Sequence, residues 1–216
     1  HIRNWINNRL IFNQVLFDKC RIEDTMLMRA VATNLIFSNV SAVRLGLVSG
    51  RYYGLRVLDC EVDSLGLSAV RKLNNVEIYN SNISKLGCSP DLKLMGLKMK
   101  NSHINHSGFR GALLSNSIIQ GCFLQNNDFS NVDFSLSKIN HCSFKESLFV
   151  RANFTNVSFQ NVDFAFANLK GANFSGALVQ KVSFFSAELS MIKTDAMTTQ
   201  TECLLARANF TPRLEQ

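Results

Sequence analysis

The sequence predicts an all-β solenoid, a chain wound into a β-helix around a narrow apolar lumen, and three observations predict it. A large apolar residue recurs at every fifth position: Phe109, Leu114, Ile119, Leu124, Phe129, Phe134, Ile139, Phe144, Phe149, Phe154, Phe159, Phe164, Leu169, Phe174, Val179, Phe184 and Leu189. Two residues before each stands a second inward series: Ser107, Ala112, Ser117, Cys122, Asn127, Val132, Ser137, Cys142, Ser147, Ala152, Val157, Val162, Ala167, Ala172, Ala177, Val182 and Ala187. All of its members are small except Asn127. Between the apolar pairs lie Asn, Asp, Ser, Gly and Lys, residues suited to corners. At a background of 46% apolar residues, an unbroken run of this length has a chance of roughly two in a million.

Strand geometry turns this pattern into a coil. Side chains two apart in extended chain point to one side, so the large and the small residue of each repeat face inward together. Five is odd, and an unbroken strand would turn the next large residue outward. The backbone must therefore change direction once per repeat, always the same way. Stacked coils then satisfy one another's backbone N–H and C=O groups at a spacing of about 4.8 Å. The second inward residue must be small because so narrow a lumen cannot hold two large side chains per edge.

The stretch RANFTNVSFQNVDFAFANLKGANFSGALVQ, from Arg151 to Gln180, resembles the A-(N/D)-(L/F)-X-X pattern of the pentapeptide repeat family. The resemblance implies a right-handed quadrilateral parallel β-helix with four repeats per coil. The sequence is compatible with four sides, since Phe134, Phe154 and Phe174 form one ladder at a spacing of 20 and Phe144, Phe164 and Phe184 another.

Upstream the pattern persists in a shifted frame through Phe12, Phe17, Ile22, Leu27, Phe37, Leu47, Tyr52, Val57, Val62 and Leu67, degraded by Ala32 and Ala42. Leu73, Ile78 and Ile83 stand one residue later, and Leu94, Met99 and Ile104 join the final frame. Two slips of one residue are needed, near 68–73 and near 86–93, the second containing Pro90. Bulges or looped corners accommodate such insertions in a solenoid. The expected organisation is a β-helix over 1–190, looser over 1–91 and regular over 92–190, followed by an irregular C-terminal cap or tail over 191–216. A cap is favoured because an open β-helix end exposes unpaired strand groups. Nine to ten coils would give a rod on the order of 45 Å long.

Bulk properties narrow the function classes. No run reaches the roughly 18 apolar residues of a membrane span, and HIRNWINNRL lacks the apolar core of a signal peptide. The six scattered cysteines show no CxxC and no metal-ligand spacing, which suits a reducing compartment. The expected location is the cytoplasm, or a host cell reached by secretion without a cleaved signal peptide. The chain opens at His1 within a repeat, as a piece of a longer protein would, and an enzymatic domain outside this segment is one alternative. The net charge of +7 is uneven, with 14 Lys/Arg against 8 Asp/Glu in residues 1–100 and 9 against 8 thereafter.

The frame leaves little room for catalysis. His103, His106 and His141 fall on outward positions while Cys142 points inward, so His141 and Cys142 do not form a base and nucleophile. Cys122 and Cys142 should stack in neighbouring coils as small core groups, at a spacing that would permit a disulfide. Asp128, Asp133 and Asp163 occupy the Asn/Asp slot before a core residue and suit bonding to corner backbone. Nothing resembles a phosphate loop, a zinc motif or a nucleotide fingerprint. The segment reads as non-catalytic, with no metal and no cofactor.

Binding surfaces are sought where outward positions break the rule. Phe166 and Phe185 both occupy outward corner slots, and their spacing of 19 would set them side by side in successive coils, with Lys145 and Glu146 at the rim. The slot before the core residue holds Ile11, Leu16, Met26, Val31 and Ile36 in the first coils, an apolar stripe that calls for a cover. Arg110, Arg151 and Lys170 would line one side as a basic surface. Arg44, Arg51, Arg56, Arg71 and Lys72 add positive charge to the first half, able to attract acidic lipid or an acidic partner.

The resemblance implies two functional classes. One mimics duplex DNA in shape and charge and binds type II topoisomerases; its rods are acidic, which a net charge of +7 does not fit. The other comprises bacterial secreted effectors whose pentapeptide segment docks onto host proteins or membranes, and the imperfect Phe/Asn/Ser-rich repeats look more like these. The expected partner is therefore a protein, with an acidic membrane surface or a second copy joined through the C-terminal coils as further candidates. Nucleic acid is not expected as a partner.

Overall fold

A computed structural model of the chain describes residues 1–210. It is a parallel β-solenoid, and no helix forms among these residues. Four ladders run its length. The first face joins Arg21, Ser41, Glu61, Asn82 and His103 in successive coils. The second joins Ile6, Met26, Gly46, Gly66 and Gly87. The third joins Ile11, Val31, Arg51 and Lys72. The fourth joins Leu16, Ile36, Arg56, Glu77, Lys98, Ile118, Lys138, Ser158 and Leu178. Every pairing is parallel at an offset of 20 or 21 residues, so each turn carries four repeats.

The corners show why five residues suffice. Nearly every repeat has one residue with φ near +50° to +70°, among them Asn34, Asn101, Asn131, Asn156 and Gly171. This left-handed conformation turns the chain from one face to the next. Asn and Gly tolerate it best, which explains their frequency two residues after the core position. The slot before the core residue locks the same corner. The side-chain carboxylates of Asp128, Asp133 and Asp163 accept the backbone N–H of Ser130, Ser135 and Ala165, each at 2.9 Å.

All seventeen large residues from Phe109 to Leu189 are buried, and so are all seventeen partners two positions earlier. The phenylalanines form columns along the lumen. Phe109, Phe129 and Phe149 stack at centroid distances of 4.8 and 4.9 Å, and Phe144, Phe164 and Phe184 at 5.3 and 5.7 Å. Asn127, the one large member of the small series, is fully satisfied. Its Nδ2 donates to the Ile104 carbonyl at 2.7 Å, and its Oδ1 accepts the Ser107 N–H at 2.8 Å. Neighbouring serines work the same way, Ser137 Oγ accepting the N–H of Ser117 at 3.0 Å and Ser147 Oγ that of Asn127 at 3.1 Å. These inward polar groups thus bond between coils instead of disturbing the lumen.

Both one-residue slips are present. The offset changes from 20 to 21 between Ser49, whose N–H bonds Ser68 O, and Arg51, which pairs with Lys72. It changes again in the Ser89–Leu92 turn, since Gly87 pairs with Gly108 but Lys93 with Leu113. A third slip, which the sequence pattern does not announce, lies between Lys193, paired with Asn173, and Thr199, paired with Leu178. Asp195 builds it, its Oδ1 accepting the N–H groups of Met197, Thr198 and Gly176. With that insertion the RANF at 207–210 returns to frame, Asn209 pairing with Glu188. Residues 191–209, expected as an irregular cap or tail, form one more coil in the ladder instead; 211–216 lie outside the described residues.

Candidate interaction surfaces

The Phe166 and Phe185 rings meet edge to face, with centroids 5.5 Å apart and planes at 83°. Their backbones are joined directly, Phe166 N–H donating to Phe185 O at 2.9 Å. Phe166 is a bulky residue at φ 59°, a left-handed corner that Asn or Gly would fill without strain. It is also 56% exposed, so nothing within the described chain rewards that strain by burying the ring. The Arg207 guanidinium lies 5.6 Å from the Phe185 ring centroid, within cation–π range. Arg207 was beyond sequence reasoning because its position depends on the third slip.

Glu146 occupies the same corner column as Phe166 one coil earlier, and Lys145 the column of Phe185 two coils earlier. Lys145 is engaged, its Nζ 3.1 Å from Asp163 Oδ2. Beside this patch, among the described residues, the lumen opens at the C-terminal end. A depression of about 130 Å³ is lined by Phe174, Phe184, Leu189, Ile192, Leu205 and Phe210 among others, and Phe210 is 49% exposed. The aromatic corner and the apolar mouth are joined through the chain neighbours Phe185 and Phe184.

A second exposed aromatic escaped the sequence reading. Phe123 fills the Asn/Asp slot of its repeat and stacks on His103, with centroids 4.7 Å apart and planes 3° from parallel. The signal was available, since an aromatic in that slot must point outward.

The apolar residues of the first coils do not share one line. Met26 pairs with Ile6 on the second face, Ile11 with Val31 on the third, and Leu16 with Ile36 on the fourth. They form a belt around three faces, most exposed in the first coil, where Ile11 reaches 83%. Of the basic residues, Arg110 and Lys170 lie in one column three coils apart, and Arg151 occupies the adjoining corner. Arg44 is paired with Asp24, and Arg56 with Glu77 at 3.1 Å.

The groups that would carry catalysis are placed apart. His141 is exposed and contacts Asn161, while Cys142 is buried and its Sγ donates to Asn140 O at 3.1 Å. Hydrogen bonding with Cys122 and burial push the Cys142 thiol well up, away from thiolate chemistry. Neither joins a disulfide. Among the described residues no group of three His, Cys, Asp or Glu could hold a metal ion.

The family profile described as pentapeptide repeats matches this chain in 8 copies within residues 109–146, 137–176 and 147–184. No curated protein matches the sequence. Among solved structures, trypsin-treated QnrB1, described as a plasmid-mediated fluoroquinolone resistance protein, is similar at 12% identity, covering 90% of this chain and 91% of its own with a TM-score of 0.50. HetL, described as involved in heterocyst differentiation regulation in the cyanobacterium Nostoc, aligns at 14% identity over 93% of this chain and 87% of its own, with a TM-score of 0.27. Rfr23 from the cyanobacterium Cyanothece aligns at 19% identity over 58% of this chain and 91% of its own, also at 0.27. The repeat register, the four-faced coil and the profile match agree: residues 109–184 are pentapeptide repeats, and the chain has the pentapeptide-repeat β-helix fold.

Proposed function

We propose that this chain is a non-catalytic interaction scaffold, the docking segment of a bacterial secreted effector, and that it captures a host protein through the Phe166/Phe185 corner. The observation that carries the reading is the strained, exposed Phe166 ring packed edge to face on Phe185. An aromatic pair at a left-handed corner weakens the coil relative to Asn, and it supplies the rigid, partly apolar anchor that binding hot spots favour. Arg207 above and Glu146 below give the patch a polar rim. The adjoining apolar mouth offers a second contact, either to the same partner or to a second copy of the chain.

The topoisomerase-binding alternative requires an acidic rod. Here the net charge is +7, and some of the acids on the faces are paired with basic neighbours one coil away. Glu77 lies within ion-pair distance of both Arg56 and Lys98, and Asp163 of Lys145.

Phe166→Asp and Phe185→Asp test the docking surface. Both positions are outward, so each variant should keep the β-sheet circular dichroism of the parent while losing a partner captured from host-cell lysate by the parent chain. If capture survives in both folded variants, this corner is not the docking site. Sedimentation of the parent and Phe166→Asp separates partner binding from self-association, because only the latter changes the mass of the isolated protein.

A further inference from the structure

At the opposite end of the rod, the corner between the second and third faces forms a pocket of about 330 Å³ lined by Arg9, Arg29, Arg51, Arg71, Ser49 and Val31 among others. Its lining contains four arginines and no carboxylate. The other arginines on the faces of the first four coils behave differently: Arg3 and Arg21 pair with Glu23, Arg44 with Asp24 and Arg56 with Glu77. None of the pocket arginines is among the ion pairs of the described residues. Arg71 also lines the next depression, where Asp91 stands with Lys72 and Lys93.

The backbone sets this cluster in place. Arg9 and Arg29 occupy left-handed corners in successive coils, at φ 63° and 52°, and their N–H groups bond Met28 O and Val48 O at 2.9 and 2.7 Å. Arg51 heads the third-face strand of the next coil, its N–H bonding Ala30 O at 2.8 Å. Arg71 enters through the first slip. Its N–H bonds Gly50 O at 2.9 Å while Lys72 pairs with Arg51, so two residues stand opposite one. That bulge adds a cation to the pocket without displacing the lysine in the ladder, a known way of re-aiming a side chain. With coils about 4.8 Å apart, the four arginines of successive coils line one concave site.

The geometry points to a binding site for a ligand that carries clustered phosphate groups. Guanidinium forks match phosphate oxygens in bidentate fashion, and several converging on one pocket select a polyanion over a single charge. The volume lies in the range of small-molecule sites, about 300–1,000 Å³. The Val31 side chain supplies an apolar wall and Ser49 a hydroxyl donor. The ligand is either a free polyphosphorylated small molecule or the headgroup of a polyphosphorylated lipid, which present the same chemistry. This site is separate from the Phe166/Phe185 corner, so the two readings stand or fall independently.

Titration calorimetry of the chain with sodium tripolyphosphate at physiological salt tests the site. The parent should bind saturably, and Arg29→Asn/Arg51→Gln should bind about tenfold or more weakly. Arg110→Gln/Arg151→Asn, which removes the same charge elsewhere, should bind as the parent does. Asn suits the left-handed corner at position 29; should that double variant fail to fold, Arg9→Asn in the first coil replaces it and should also weaken binding. Absence of saturable binding by the parent, or equal weakening in both double variants, overturns the proposal. Co-sedimentation with phosphatidylcholine vesicles containing phosphatidylinositol bisphosphate, competed by tripolyphosphate, assigns the lipid source; tripolyphosphate binding without co-sedimentation assigns the soluble one. Duplex DNA binding more tightly than tripolyphosphate, with the same dependence on Arg29 and Arg51, would overturn the small-ligand reading in favour of a backbone-tracking surface.

Discussion

At the scale of single residues, the lumen is filled by complementary sizes, and Tyr52 shows how far this goes. Its ring fills a core position where the coil beneath carries only Ala32, and its hydroxyl donates to the Leu27 carbonyl at 3.2 Å. Room for the ring comes from Gly50, since a Cβ at that position would lie 2.5 Å from Tyr52 Cε2. Full burial pushes the Tyr52 phenol up to about 12 from an ordinary value of 10.0. A phenol whose folded pKa is raised stays protonated in the fold while the unfolded chain ionises. Its contribution is therefore whole below pH 10 and is lost as pH rises from 10 towards 12. The loss amounts to about 2–3 kcal/mol. Urea titrations across that window should show stability falling in the parent and falling less steeply in Tyr52→Phe. The substitution itself costs about 1 kcal/mol at neutral pH through the lost hydrogen bond. Identical slopes in the two proteins would mean that Tyr52 is not what the alkaline limb reports.

At the scale of the element, the terminal coil is held by carboxylates more than by its lumen. Glu188 accepts the Ser190 N–H at 2.9 Å and the Asn209 side-chain N–H at 2.6 Å. Its carboxyl is held below the usual range by the bond from Ser190 and then by further hydrogen bonds. The Gly176 N–H does the same for Asp195. Carboxyls with depressed pKa values stabilise the fold above their unfolded values and lose that contribution as pH falls through the folded ones. Hydrogen exchange should therefore show residues 193–209 opening on acidification below pH 4.5, the ordinary value for Glu188, before the Phe-lined coils respond. Glu188→Gln should remove much of that pH dependence. This coil was also the least legible part of the sequence. Its insertion at 194–198 replaces the large core residue with Thr194 and Gln200, so the period-five signal vanishes although the backbone keeps its pairing. From Phe109 to Leu189 the reading and the structure coincide residue for residue, because every inward position there is filled by the size the lumen demands. The first two slips were legible because Leu73 and Leu94 resume the pattern on their far sides. The Phe166/Phe185 contact was legible for the same reason, since a spacing of 19 is fixed by the coil; the arginine pocket was not, because the hydrophobic pattern locates the first slip only to 68–73 and does not say that Arg71 is the residue it turns towards Arg9, Arg29 and Arg51.

At the scale of the whole molecule, ladder offsets of 20 or 21 mean that each coil pairs only with the coils above and below it. Stability in such a rod approximates a sum of coil and neighbour contributions, without a single central core. The ends are looser by construction. Ile2, Trp5, Phe12 and Phe17 at one end and Ile192, Cys203 and Ala208 at the other are only partly buried, whereas Phe144, Phe149, Phe154 and Phe164 are wholly buried. Phe154 is the junction of the middle coils, within 6.1 Å of the rings of Phe134, Phe149, Phe159, Phe164 and Phe174. Phe154→Ala should cost about 3–5 kcal/mol through lost transfer energy and the cavity left behind. Because coupling is confined to neighbours, that cost should not spread evenly along the rod. Hydrogen exchange should show protection lost over roughly the coils from Phe134 to Phe174, with the coils before Leu67 little changed, and the denaturant transition should broaden as the two halves uncouple. A uniform drop in protection along the whole chain, with a transition as sharp as the parent's, would show instead that the solenoid unfolds as one unit and that coupling between coils outweighs the instability of any single turn.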